Sequence, residues 1–157
     1  MVAARDYIGW IDHPSPIEAE WDELWRLYKI ICELQAAAVE MPRLGELSDE
    51  DDPHFPESYD GIETSRPRLR SLNIPYATIY NVLGLDDEPV HGQLSGDLAE
   101  IYHELSTHMI SFESGRVGDA TFGWGQGFRA HWGKHANHAL AAIHDHLLMG
   151  APVGKKP

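Results

Sequence analysis

Three histidines, His131, His135 and His138, stand in the stretch FGWGQGFRAHWGKHANH, and this is where chemistry is most readily imagined. His131 and His135 are four residues apart, the spacing at which a helix presents two imidazoles to one zinc ion. At 100° per residue the three rings fall within about 60° of one another, and Trp124 and Asp145 extend the same stripe. A second polar stripe, Asp97, Glu104 and His108, lies on an earlier helical segment and could supply further ligands. A set drawn from His131, His135, His138 and His108 with those carboxylates suits zinc, iron or manganese. The motif falls short of a metalloprotease pattern, which needs a Glu directly after the first His, where Trp132 stands. The Glu-x-x-His signature of two-iron carboxylate bundles is read as absent from both helices. The competing reading makes these boundary histidines, with ring nitrogens bonded to facing helices.

Other chemistries are excluded more simply. The glycines at 123, 125, 127 and 133 follow no strand, and the Lys and Ser or Thr of a phosphate loop are missing. Cys32 is the single cysteine and sits in an apolar helical pattern, where it packs as a small hydrophobe. The acidic stretch from Asp49 places His54 and Asp60 where a calcium loop needs Gly and Glu, so it is a solvated loop.

These side chains need helices to position them. MVAARDYIGWI forms a short opening helix, ended by DHPSP. Ser15, Pro16 and Glu18 make an N-cap, a first-turn proline and a capping box. The helix beyond, closing near Met41, buries the stripe Ile17, Trp21, Leu24, Tyr28, Ile31, Gln35 and Ala38. Glu46 to Asp60 is a long acidic loop, and the basic cluster Arg66, Arg68 and Arg70 offsets its charge. Helical spacing from Leu69 to Leu83 predicts a helix from about Asn73 with Pro75 in its first turn. A third long helix spans Gln93 to Glu113 and buries Leu94, Leu98, Ile101, Leu105, Met109 and Phe112, with Gly115 closing it in the left-handed conformation. The last helix spans Asp119 to Met149 and buries Phe128, Trp132, Ala136, Ala139, Leu140, Ile143 and Leu147. Three glycines make its Phe122–Phe128 turn weak, so either another backbone packs closely there or the helix frays or bulges. The expected fold is all-α: an antiparallel four-helix bundle over 1–149 with a short extra N-terminal helix, no strand longer than three residues, and a tail over 150–157.

Composition bounds the function. The 157 residues fit one domain, and 25 acidic against 12 basic residues give a formal charge of −13. Such a surface repels phosphate backbones and anionic lipid, so nucleic acid and membranes are excluded and a basic protein partner is favoured. The lone cysteine and the lack of a basic-then-apolar leader or a ~20-residue apolar run predict a cytoplasmic protein.

DDEPVHGQLSGDLAEIYHEL followed by WGQGFRAHWGKHANHALAAIH resembles the bacterial proteins grouped as domain of unknown function 5063, over about residues 76–147. The resemblance implies family positions at Asp97, Leu98, Glu100, Ile101, Tyr102, Glu104 and Leu105. On the last helix it implies Trp124, Phe128, His131, Trp132, Gly133, His135, Ala139, Leu140 and His144. Phe122 stands in place of the pattern's first Trp and Gly125 in place of an Arg, and Glu100 and Glu104 replace aspartates. The resemblance implies a compact helical fold without an assigned activity. The expected function is therefore protein binding, as an accessory or immunity-type factor whose acidic bundle occludes a basic site. The alternative is an enzyme or sensor using His131, His135, Trp132, Trp124, Asp97, Glu104 and Tyr102, with or without a divalent metal. A purely structural role for the His–Trp motif is the third reading.

Overall fold

The computed structural model describes residues 1–13, 20–41, 67–79 and 88–149. The Ser15 capping box, the acidic stretch Glu46–Asp60 and the tail over 150–157 lie outside the described residues. Within them the protein is mostly helical. In chain order the elements are α1 (Val2–Asp12), α2 (Glu20–Val39), α3 (Pro67–Ser71), β1 (Pro75–Thr78), β2 (Val90–Gln93), α4 (Leu94–Glu113), α5 (Val117–Gly127), a π-helical turn (Phe128–Trp132) and α6 (Gly133–Met149).

The hairpin-like pair β1–β2 corrects two expectations: that no strand exceeds three residues, and that a helix starts near Asn73 with Pro75 in its first turn; the part of that helix expected beyond residue 79 lies outside the described residues. Pro75 instead opens a four-residue strand. Proline lacks an N–H and pushes the residue before it out of helical geometry, which suits a strand's first position. Side chains then alternate, Tyr76 and Thr78 half-buried, Pro75 and Ala77 exposed. The strands are antiparallel, pairing Pro75 with Gln93, Tyr76 with Gly92, Ala77 with His91 and Thr78 with Val90. The Tyr76 ring lies across Gly92, where an added Cβ would come within 2.6 Å of the phenolic oxygen. Leu94 N–H donates to the Ile74 carbonyl at 2.9 Å, so the sheet is tied to the first turn of α4. Tyr76 is thereby delivered to the N-terminal end of that helix.

The core is a single cluster drawn from α1, α2, α3, α4, α5 and α6. On α2 the buried residues are Leu24, Leu27, Ile31, Leu34 and Ala38. This stripe follows the expected one with a correction. Trp21 is 37% exposed, and Leu27 and Leu34 take the places given to Tyr28 and Gln35. A 3–4 alternation of leucines packs better than a stripe with an amide in it. On α1, Tyr7 is fully buried and its hydroxyl donates to the Leu98 carbonyl at 2.8 Å. The basic cluster is also corrected in part. Arg68 is buried, stacks over the Trp10 ring at 4.3 Å and pairs with Glu23 at 3.1 Å, while Trp10 Nε1 donates to the same carboxylate at 3.0 Å. Its charge is thus spent inside the fold. A buried guanidinium needs such partners because desolvation is costly.

The close of α4 is as expected. Gly115 has φ of +85°, Gly115 N–H donates to the Phe112 carbonyl and Arg116 N–H to the Ser111 carbonyl, both at 3.0 Å. That pair of bonds is the Schellman arrangement, and glycine supplies the left-handed position without a Cβ penalty. The chain reverses in three residues and α5 starts at Val117. Contacts then run backward along α4 as the chain advances: Gly123 meets His108, Gly127 and His131 meet Glu104, and His135 meets Asp97. The two segments are antiparallel neighbours. Among the described residues no helix is long and apolar enough to cross a membrane.

Candidate functional site

The polar stripe of α4 and the histidines after α5 meet directly. His131 Nδ1 lies 2.8 Å from Glu104 Oε1, and His135 Nδ1 lies 2.8 Å from Asp97 Oδ1. Asp97 is nearly enclosed, its side chain 8% exposed, and Glu104 is 22% exposed. The imidazoles above them reach solvent, His131 at 47% and His135 at 25%. Each couple is therefore a carboxylate at the base with an imidazole on top. A carboxylate that accepts Nδ1–H leaves the lone pair on Nε2, the outer nitrogen. The two rings stand edge to face with centroids 4.9 Å apart, so both border one small region.

Asp97 serves a second partner. Its other carboxylate oxygen accepts a hydrogen bond from the Tyr76 hydroxyl. Burial first, and then that bond to Asp97, push the Tyr76 hydroxyl well above its ordinary range, so it stays protonated and donates. Two partners on a buried carboxylate offset much of its desolvation cost. The strand β1 thus finishes a site otherwise made of helices.

Glycines let the helices approach. An added Cβ at Gly127 would lie 2.6 Å from Glu104 Oε2, and one at Gly123 would collide with the nearest atoms of the His108 ring. What packs closely at Gly123 and Gly127 is therefore side chains of α4 and not the backbone expected there. The bulge comes one turn later, as the π-helical turn Phe128–Trp132, so the expected unbroken helix is interrupted there. Gly133 closes that turn, because a Cβ there would collide with the Phe128 carbonyl oxygen. Trp132 Nε1 donates to the Trp124 carbonyl at 3.2 Å, and Trp124 Nε1 to the Leu105 carbonyl at 3.1 Å. Both tryptophans are buried, at 1% and 2% exposure, so they hold the turn and offer nothing to solvent. Arg129 adds an outer clamp, donating to the Gly125 carbonyl and, at 2.7 Å, to the Met41 carbonyl beyond α2. A π turn is uncommon and recurs at functional sites. Here it carries His131 at its fourth residue.

The candidate residues are not all brought together. His131, His135, Asp97 and Glu104 are. Tyr102 faces the other way, its hydroxyl donating to Asp12 at 3.1 Å and joining α4 to α1. His108 is buried one turn beyond Glu104, against Gly123, and burial lowers its pKa from the ordinary value. His138 packs beside Tyr76 at 6.4 Å between ring centroids, and burial likewise lowers its pKa while Asp97 pulls the other way. The tight ligand-like cluster is instead Glu100, His131 and His135, whose donor atoms all lie within 4.8 Å of one another. The candidate ligand set read from the sequence leaves out Tyr76 and Glu100, the latter entering only as a family position. Glu100 opens a Glu-x-x-His spacing with His103, which corrects the reading of that signature as absent, and it lies between Asp97 and Glu104 on one face of α4. Tyr76 had no signal while its segment read as helix. Cys32 is half-buried, and burial raises its pKa, which disfavours the nucleophilic thiolate.

A groove of about 190 Å³ adjoins the site, lined by Tyr76, His138, Ala142, Asp145, His146 and Met149 among others. Tyr76 belongs to both, since its ring lines the groove and its hydroxyl reaches Asp97.

No curated protein and no solved structure matches the chain. A family model does, that of the Domain of unknown function (DUF5063), and it extends over residues 1–149, so the region of likeness takes in α1 and α2 as well as the two motif helices. With nearly the whole chain matched, the protein belongs to the DUF5063 family.

Proposed function

We propose that the protein is a small enzyme or sensor that works through the histidine–carboxylate seam, with His131 and His135 as the groups that meet a ligand. One observation carries this reading: two imidazoles side by side, each with Nδ1 held 2.8 Å from a carboxylate and its outer edge open to solvent. A purely structural couple would have no need to leave both rings accessible. Buried carboxylates that orient imidazoles are how general bases are set up, because they fix the tautomer and stabilise the charge that forms. The adjoining groove, which shares Tyr76, suits a small substrate. In this reading α2, α4 and α5–α6 are the body of an antiparallel bundle, and the seam is its working edge. A cytoplasmic setting agrees with the single cysteine.

The test is a screen of purified protein, with and without added divalent metal, against chromogenic carboxylic esters, phosphoesters and peptides. His135→Ala and Asp97→Asn are run in parallel. The reading expects turnover that both variants lower by about 100-fold or more. Turnover equal in the variants, or none in any substrate class, overturns it.

A second reading, a protein-binding accessory or immunity-type factor, rests on a different observation. The chain carries a formal charge of −13, and Trp21 and Trp25 on α2 are 37% and 45% exposed. Acidic surroundings with aromatic anchors fit a basic protein partner. Trp21→Ala and Trp25→Ala should then abolish capture of a basic partner that high salt also releases. Capture that is indifferent to both would sink this second reading.

A further inference from the structure

We propose that Glu100, His131 and His135 bind one divalent first-row metal ion of the zinc class, with Asp97 and Glu104 acting as positioning residues behind the two imidazoles. The proposal deepens the reading of the seam as a working site and rests on it for its purpose, though not for its geometry.

Distance is the first argument. The donor atoms of Glu100, His131 and His135 lie within 4.8 Å of one another. Ligands at about 2.0–2.1 Å around a tetrahedral zinc are about 3.3 Å apart. The side chains must close by up to about 1.5 Å. His131 is exposed and Glu100 and His135 are only half-buried, so side-chain rotation can supply that closure without moving a helix.

The second argument is which nitrogen is free. Both Nδ1 atoms are engaged at 2.8 Å by carboxylates that belong to the opposite helix. A metal-binding histidine commonly donates its other N–H to a carboxylate, which orients the ring and raises its basicity. Here both histidines have that partner, and the partners are different residues from the third ligand. Asp97, Glu100 and Glu104 lie on one face of α4, so the middle carboxylate is the one left to reach an ion between the rings.

The donor set then decides the class of metal. Two imidazoles and one carboxylate suit zinc or ferrous iron, and zinc binds such donors more tightly than iron does. Calcium and magnesium prefer oxygen alone. Three protein ligands on a solvent-facing edge leave at least one coordination position for water or substrate. His108 and His138 lie outside this set.

The test is calorimetric titration of Zn²⁺ into metal-stripped, full-length protein. Co²⁺ serves as a second probe, because its visible absorption reports coordination number and nitrogen ligation. The expected result is one ion per chain, with affinity lowered at least 10-fold in Glu100→Gln and His135→Ala and about 10–100-fold in Asp97→Asn. His144→Ala, at an exposed histidine on α6, should bind like the wild type. Circular dichroism of Glu100→Gln establishes that it folds, and the cobalt spectrum provides a readout that a merely structural role would not move. Binding weaker than about 1 mM, or binding that Glu100→Gln and His135→Ala leave unchanged, overturns the proposal. Turnover in metal-stripped protein that takes up no ion would overturn the metal site and leave the acid–base reading intact. One tightly held ion without turnover in any substrate class would do the reverse.

Discussion

His108 and Gly123 share one space: the imidazole of α4 sits where the side chain of residue 123 on α5 would begin. The ring is 7% exposed and so has little room to retreat. Gly123→Ala gains about 1 kcal/mol of helix propensity but must displace a buried ring, and overpacking of that kind costs about 1–3 kcal/mol or more. The expected outcome is a net loss of up to about 2 kcal/mol in denaturant unfolding. His108→Ala clears the space, so Gly123→Ala should be neutral or stabilising in that background. A loss of equal size in both backgrounds would mean that the contact does not control the packing of α4 against α5.

Gly133 has a different obstacle, the carbonyl oxygen of Phe128 across the π turn. Backbone cannot swing aside as a side chain can. Gly133→Ala should therefore cost more than Gly123→Ala, about 2–4 kcal/mol, and it should disturb His131, which sits inside the turn. Thermal unfolding gives the first quantity. The nitrogen-15 shifts of His131, followed by NMR, give the second, and a variant with unchanged His131 shifts would show that the turn does not position that ring.

The limits of sequence reading can be traced to particular residues. The antiparallel meeting of the His stripe with Asp97 and Glu104 was legible, because helical spacing and a short connector leave little choice. Leu94, Leu98, Ile101 and Leu105 are buried as their period requires, and Gly115 closes α4 as expected. Tyr76 was not legible. Leu69, Leu72, Tyr76 and Ile79 keep a helical period by coincidence, whereas Pro75 and the pairing with β2 decide the strand. Strand pairing is a non-local relationship that no window of sequence contains. The π turn was half legible: the glycines announced a close approach, but its place depends on Phe128 folding back over Gly133. Glu100 was legible as a family position but not as a ligand, because Asp97 and Glu104 on the same face of α4 already account for both histidines.

Low pH should weaken the fold through His108. Burial lowers its pKa below the ordinary 6.5, with Glu104 pulling the other way and His103 adding to the depression. The folded protein therefore holds this ring neutral while the unfolded chain takes up a proton below about 6.5. Stability falls as pH drops from about 6.5 towards the folded-state pKa and levels off beneath it, because the unfolded state binds more protons in that window. His138 is lowered in the same direction and contributes with the same sign. His108→Asn should flatten the slope of unfolding free energy against pH between about 6.5 and 5. A variant with the wild-type slope would show that some other group titrates there.

The last prediction separates the two carboxylate–imidazole couples by burial. Asp97 is 8% exposed and His135 25%, whereas Glu104 is 22% and His131 47% exposed. Water competes with a hydrogen bond in proportion to its access, so the two bonds of 2.8 Å should not be equal in strength. Removing His135 also leaves the buried Asp97 carboxylate with one fewer partner beside Tyr76, and an under-satisfied buried charge is expensive. In double-mutant cycles on metal-free protein, Asp97→Asn with His135→Ala should show a coupling of about 1–2 kcal/mol. Glu104→Gln with His131→Ala should show about 0.3–1 kcal/mol. Raising the salt concentration should erode the second coupling more than the first, since screening acts on exposed pairs. Equal couplings, or a larger one at Glu104–His131, would mean that burial does not set the strength of these bonds, and Asp97 could not then be the carboxylate that anchors the seam.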